Sequence, residues 1–182
     1  IPGSIFIGLD GQFAPWVGAL ITSLKQPILF IAEPGTEQEV VDRLARVGYD
    51  NPIGYLHGGF EAWKTAGEKV ETLEEIPADD LAILFDRSQI NLLDVRKQSE
   101  YNAEHIDGAV NFPLDFINHN MQKLDKGKKY FLYCATGYRS VIAASILKTR
   151  GFEQVVNVTG GYEDLVDTSL RRTEFVEQIT EL

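Results

Sequence analysis

Along this chain, short continuous apolar runs alternate with segments whose apolar positions recur every three or four residues. The runs are Ile28-Leu29-Phe30-Ile31, Asn91-Leu92-Leu93-Asp94-Val95, Ala109-Val110-Asn111-Phe112 and Tyr130-Phe131-Leu132-Tyr133. Apolar runs this short predict buried strands. Between them, Val40, Val41, Leu44 and Val47 mark one helical face. Thr36-Glu37-Gln38-Glu39 has the form of a capping box at its start, and Gly48 supplies a stop. A second helix is predicted over 139–150 from Ile142, Ala143, Ile146 and Leu147, with Lys148 and Arg150 at its negative end. Leu81, Ile83 and Leu84 predict a short helix opening near Pro77, residues 99–104 another, and the polar tail after Asp167 one last helix. Strands alternating with helices predict an α/β fold: a parallel sheet flanked by helices on both faces.

The pattern occurs twice. Gly48-Tyr49 and His57-Gly58-Gly59-Phe60-Glu61-Ala62-Trp63 return as Gly151-Phe152 and Thr159-Gly160-Gly161-Tyr162-Glu163-Asp164-Leu165. Ile1-Pro2-Gly3-Ser4-Ile5 parallels Ile106-Asp107-Gly108-Ala109-Val110. Two domains are expected, 1–70 and 71–182, joined by a Glu-rich linker over 70–77. The second copy carries a strand, Leu92–Asp94, before its Ile106 motif. The first copy has no counterpart of it. The first domain is therefore expected to be truncated at its N-terminus, with a polypeptide continuing upstream and a smaller, gapped sheet.

Charge narrows the function. Seventeen basic against 27 acidic residues leave a net charge of −10, spread over both copies. Such a chain repels phosphate backbones, so no nucleic-acid partner is expected. Lys126, Lys128 and Lys129 read as a solvated turn. The longest apolar runs fall far short of the ~20 residues of a membrane helix, so no membrane partner is expected.

Cys134 is the single cysteine, which excludes an internal disulfide, an internal resolving thiol and a Cys-rich metal site. His57, His105 and His119 show no ligand spacing, so no metal is expected in this chain. A reducing, cytoplasmic compartment is expected. Cys134 lies between an apolar strand and a helix, in Cys134-Ala135-Thr136-Gly137-Tyr138-Arg139-Ser140. A turn of this length can aim backbone N–H groups at the sulfur, at a helix N-terminus that favours an anion. That setting should lower a thiol pKa and hold a thiolate nucleophile. Gly137 permits positive φ, and Arg139 adds a planar fork for an oxyanion. A buried structural cysteine is the plain alternative, and the Gly and Arg at this spacing weigh against it.

Cys134-x-x-Gly137-x-Arg139-Ser140 resembles the active-site loop of rhodanese sulfurtransferases. Leu93-Asp94-Val95-Arg96, Glu100-Tyr101, His105-Ile106-Asp107-Gly108-Ala109-Val110-Asn111-Phe112-Pro113 and Gly160-Gly161 resemble the family's other motifs, in order, over 73–167. Glu104 departs from the usual Gly before the His. The resemblance implies that Cys134 takes a sulfane sulfur from a small donor (thiosulfate, persulfide or polysulfide), forms a persulfide and passes the sulfur to a thiol or other nucleophile. It implies that Ala135, Thr136, Gly137, Tyr138 and Ser140 form the substrate loop with Arg139, that Asp94 and Arg96 brace it, and that His105 fixes a turn.

In the first copy the position matching Cys134 falls at Ile31 or Ala32, and Glu33-Pro34-Gly35 replaces the loop. That copy resembles a catalytically dead rhodanese repeat. Ile1-Pro2-Gly3-Ser4-Ile5 with Phe13-x-x-Trp16-x-Gly18 looks most like the pseudo-rhodanese of metallo-β-lactamase-fold/rhodanese fusions, in which a metal-binding hydrolase or persulfide dioxygenase precedes two rhodanese repeats. A tandem thiosulfate or mercaptopyruvate sulfurtransferase is the competitor. Any metal would belong to that upstream domain, and a homodimer would be a further partner. Two other functions compete: a Cys-dependent phosphatase or arsenate reductase, whose loop resembles Cys-x5-Arg where this chain has Cys-x4-Arg, and a non-catalytic interaction module.

Overall fold

The computed structural model describes residues 1–87 and 89–173. The chain divides into two units, Ile1–Thr72 and Leu73–Leu182. Both are α/β units with parallel strand pairing.

The first unit runs α1 (Phe13–Leu20), β1 (Ile28–Phe30), α2 (Glu37–Ala45), β2 (Pro52–Tyr55) and α3 (Gly59–Thr65). Its core joins Phe13 and Val17 of α1 to Val40 and Leu44 of α2 and to Tyr49, whose hydroxyl donates to the Ile21 carbonyl. Val41 and Val47 are only half-buried. The predicted capping box does not form. The Thr36 hydroxyl donates to the Glu33 carbonyl at 2.8 Å, and the Gly35 amide donates to Glu37 at 2.8 Å. The turn before α2 therefore satisfies itself, and Glu39 instead pairs with Arg43. The sheet has two strands, β1 and β2. Leu29 is 71% exposed and Ile53 65%, so apolar side chains of both strands face solvent.

The second unit runs β3 (Glu74–Ile76), α4 (Ala78–Arg87), β4 (Asn91–Asp94), α5 (Gln98–Ala103), β5 (Val110–Asn111), α6 (Ile117–Asn120), β6 (Tyr130–Tyr133), α7 (Tyr138–Thr149), β7 (Val155–Val158) and α8 (Gly161–Leu165). Among the described residues, its five strands lie in the order β3-β7-β6-β4-β5. The middle position belongs to β6, with β4 beside it, so the Leu92–Asp94 strand that the rhodanese resemblance puts at the centre is its inner neighbour. Every residue of β6 and β7 is buried, as a parallel sheet covered on both faces requires. Leu81, Leu92, Ile106, Phe131, Val156, Val158 and Leu165 form one core cluster. A fully buried side chain of this kind contributes about 1.5–3 kcal/mol.

Three further expectations change. The linker over 70–77 contains a strand: β3 pairs with β7 at the sheet edge, where Glu74 and Glu75 stay in water and Lys129 reaches Glu74 at 2.6 Å. Ile83 is 51% exposed and lies off the buried face of α4, which is made by Ala78, Leu81 and Ala82. No helix forms over 168–173. Instead Ile106 bridges to Arg172, and the rest of the predicted tail helix lies outside the described residues.

Candidate active site

The middle strand delivers the cysteine. β6 ends at Tyr133, Cys134 follows, and Ala135-Thr136-Gly137 turn the chain into α7. Gly137 caps that helix at φ 107°, a left-handed conformation that a side chain resists. Its amide donates to the Cys134 Sγ at 3.1 Å. The Ser140 hydroxyl lies 2.9 Å from the Gly137 carbonyl and 3.6 Å from Sγ, and Ser140 is fully buried. Cys134 is 1% exposed, so a partner can reach it only with a small terminal atom. Ala135 and Tyr138 are half-buried and Thr136 is exposed.

The outer side of the loop is held by α8. The Tyr162 amide donates to the Cys134 carbonyl at 2.7 Å, and the Glu163 amide to that of Ala135 at 3.1 Å. This contact explains Gly160-Gly161. Gly161 has φ +64°, and a Cβ there would lie 2.5 Å from the Cys134 carbonyl oxygen and 2.6 Å from that of Ala135. Only a residue without Cβ lets α8 approach its neighbour this closely.

Arg139 stands beside the thiol, but its fork is occupied. Nη1 donates to Glu100 Oε2 at 2.6 Å and Nη2 to Oε1 at 2.8 Å. The fork expected to await an oxyanion thus grips a carboxylate of the chain itself. Glu100 is placed for this by the first turn of α5, where it also accepts from the Lys97 amide at 3.1 Å. The Arg139 guanidinium is held above its ordinary value, first by the Glu100 hydrogen bond and against burial, with the Cys134 thiol adding to the effect. Glu100 was absent from the expected site. Its signal was its place in the Glu100-Tyr101 motif.

Asp94 and Arg96, expected to brace the loop, form a buried ion pair with side chains 0% and 6% exposed. Asp94 accepts from the Arg96 amide at 2.9 Å, from Nε at 3.0 Å and from Nη2 at 2.7 Å. Arg96 Nη2 also donates to the Glu104 carbonyl at 2.8 Å, and its guanidinium lies 3.9 Å from the Tyr162 ring centre. The pair therefore meets the cysteine loop through Tyr162, the residue whose amide holds Cys134. Burial opposes the Arg96 charge, and the Asp94 hydrogen bonds outweigh it, so its pKa is raised. Burial, with the negative charge of Glu104 nearby, pushes the Tyr162 phenol up to about 12. The His105 ring engages its own turn: its Nδ1 lies 2.7 Å from the Tyr101 carbonyl, and it stacks on Tyr101 at 3.5 Å.

The first unit preserves the frame of this site without its chemistry. Leu29 pairs with Gly54 and Phe30 with Tyr55, as Phe131 pairs with Val156 and Leu132 with Asn157. That register puts Ala32 in the place of Cys134. Gly59 plays the part of Gly161, since a Cβ there would lie 2.7 Å from the Ala32 carbonyl oxygen. Gly35, at φ +93°, stands where Gly137 does, and Glu37 stands where Arg139 does. The turn is kept, the thiol is gone and the cation is reversed.

Among the described residues, no cluster of three His, Cys, Asp or Glu side chains is arranged to hold a metal, and no helix is long and apolar enough to cross a membrane.

The profile of the Rhodanese-like domain matches residues 1–66 and 77–168. The chain belongs to the rhodanese family. It is similar to a putative sulfur carrier protein YrkF of Bacillus subtilis, with 32% identity over 100 residues, covering 54% of each chain. It is 31% identical to a tRNA sulfurtransferase of Thermoplasma acidophilum over 91% of this chain and 38% of that one. A thiosulfate sulfurtransferase GlpE of Coxiella burnetii is 34% identical over 44% of this chain and 75% of its own. The chain thus spans 54% and 38% of the first two relatives' lengths. A crystal structure of a rhodanese-like domain protein from Staphylococcus aureus superposes with a TM-score of 0.51 at 30% identity, over 54% of this chain and 97% of that one. The names of these relatives are those of sulfurtransferases and of a sulfur carrier protein.

Proposed function

We propose that the second unit is a sulfurtransferase that carries sulfane sulfur as a persulfide on Cys134. One observation carries this reading: the only thiol of the chain stands at the end of the middle strand, with the Gly137 amide donating to its sulfur at the start of α7. An amide and a helix N-terminus pointed at the sulfur supply hydrogen-bond donors and partial positive charge where a transferred sulfur would sit. Ala135, Thr136, Gly137, Tyr138 and Ser140 form the loop around the transferred sulfur, and Asp94 and Arg96 set its back through Tyr162. No second thiol of the chain can resolve a persulfide, so an external thiol takes the sulfur.

The step is a displacement. The Cys134 thiolate attacks the outer sulfur of the donor, the donor's S–S bond breaks, and its remainder leaves with the electron pair. A second displacement by the acceptor thiol regenerates Cys134. The chemistry calls for no metal or organic cofactor in this chain. A phosphatase reading loses ground, because Cys134 to Arg139 is Cys-x4-Arg, one residue shorter than the Cys-x5-Arg loop that cradles a phosphate.

The partners in this reading are a small sulfur donor and a thiol acceptor in a cytoplasmic setting, without nucleic acid or membrane, with a homodimer as a further arrangement. The first unit serves as an inactive repeat. Its fusion to a metal-binding hydrolase or persulfide dioxygenase remains our proposal on the Ile1-Pro2-Gly3-Ser4-Ile5 and Phe13-x-x-Trp16-x-Gly18 pattern, and the coding sequence upstream of Ile1 tests it.

Intact-mass spectrometry after treatment with thiosulfate or an alkyl persulfide tests the function. One sulfur gained by the protein and none by Cys134→Ala is the expected result. A gain in Cys134→Ala, or none in either protein, refutes it.

A further inference from the structure

The two cations that the sequence brings to the cysteine loop are both answered by carboxylates of the chain. Arg96 is engaged by Asp94, and both terminal nitrogens of Arg139 are engaged by Glu100. The Glu100 carboxylate is not a drifting surface group. Its Oε2 is fixed from behind by the Lys97 amide, and α5 follows directly on the Asp94–Arg96 lock. Cys134 is buried, while the Arg139 and Glu100 side chains are 17% and 35% exposed. A donor can bring only its outer sulfur to Sγ. The rest of the donor stays at the rim, beside a cation whose charge is already answered by Glu100 and a carboxylate that repels anions.

We propose that Glu100 is a specificity-determining residue that makes this a site for the persulfide of a small thiol and disfavours the thiosulfate dianion. The inference rests on the sulfurtransferase reading above. With a thiolate at Cys134, the charges of Cys134, Arg139 and Glu100 sum to one negative charge before any donor arrives. Thiosulfate adds two negative charges and a sulfonate that needs hydrogen-bond donors at the rim. A hydropersulfide brings its sulfane sulfur with no sulfonate. The thiolate attacks the outer sulfur of R–S–SH, the S–S bond of the donor breaks, R–S⁻ leaves with the electron pair, and the proton stays on the new Cys134–S–SH. Glu100 touches neither sulfur in this step. It acts through Arg139 and through its charge.

The test compares kcat/KM for thiosulfate and for cysteine persulfide with one thiol acceptor, in the full chain and in Glu100→Gln. Glutamine keeps an oxygen for the Lys97 amide and removes the charge. The unaltered protein should favour cysteine persulfide. Glu100→Gln should narrow the gap on the order of tenfold, mainly through a lower KM for thiosulfate, as expected for removing one partly screened charge near the donor. A merely structural role for Glu100 would lower both donors alike. As a second measurement that needs no variant, raising KCl from low to high concentration should narrow the gap in the unaltered protein, because salt screens the repulsion. A gap insensitive to both Glu100→Gln and salt, with Cys134 still gaining sulfur, overturns this inference and leaves the sulfurtransferase standing. Failure of both donors to load Cys134 overturns the two together.

Discussion

Glu100 and Arg139, 39 residues apart in sequence, meet in a two-point ion pair at 2.6 and 2.8 Å. Glu100 comes from the helix after β4 and Arg139 from the helix after β6, and the parallel pairing of those strands brings both helix starts to one end of the sheet. The pair spans neighbouring crossovers beside the thiol.

The pair has a pH signature. The Arg139 hydrogen bond, against burial, holds the Glu100 carboxyl below its ordinary value of 4.5. A depressed folded-state pKa contributes stability that is present above the unfolded value and is lost as pH falls through the folded one. The melting temperature of Glu100→Gln should therefore lie below that of the unaltered protein near pH 7. The difference should shrink on acidification below about pH 4.5. Thermal melts at a series of pH values read this directly, and a difference that persists undiminished in strong acid would show that charge is not its source.

Arg96→Met leaves Asp94 charged, buried and without its main partner. Breaking one half of a buried ion pair costs about 3–5 kcal/mol. Urea unfolding should show a loss of that order, well beyond the effect of an exposed pair such as Arg171 with Asp107. A loss below about 1 kcal/mol would place the pair among surface contacts.

Gly161→Ala tests the close approach of α8 to the cysteine loop. The added Cβ meets two carbonyl oxygens at 2.5 and 2.6 Å, and φ is +64°. Strain of this kind costs about 1–3 kcal/mol. The hydrogen bonds from Tyr162 and Glu163 to the loop should weaken with it, so sulfur loading on Cys134 should slow. Loading at the unaltered rate, with a lowered melting temperature, would show that α8 supports the fold and not the site.

The first unit should be the less protected half. A sheet of two strands is marginal by comparison with one of five, and Leu29 and Ile53 lie in water. Hydrogen exchange followed by mass spectrometry should show faster exchange in β1 and β2 than in β4 and β6. Equal protection in a monomeric sample would refute this.

Much of the architecture was legible in the sequence because local rules carried it. Apolar runs marked β4 and β6, three-to-four periodicity and a closing glycine marked α2 and α7, and the doubled Gly-Gly motif marked the repeat. Cys134, Gly137 and Ser140 were legible because they are contiguous on one turn. The sequence also left Ile31 and Ala32 as equal candidates for the counterpart of Cys134, and strand register chose Ala32. The capping box at Thr36, the strand inside the Glu-rich linker and the solvent-facing Ile83 were misjudged, since each depends on what another segment offers. Glu37 had the Gly35 amide to accept from, β3 had the open edge of β7, and α4 needed only one buried face. The partner of Arg139 was invisible for the same reason. Sequence determined which side chains line the turn around the thiol, because that turn is local. Only the parallel pairing of β4 with β6 decided that a carboxylate from one crossover would close the fork of an arginine from the next.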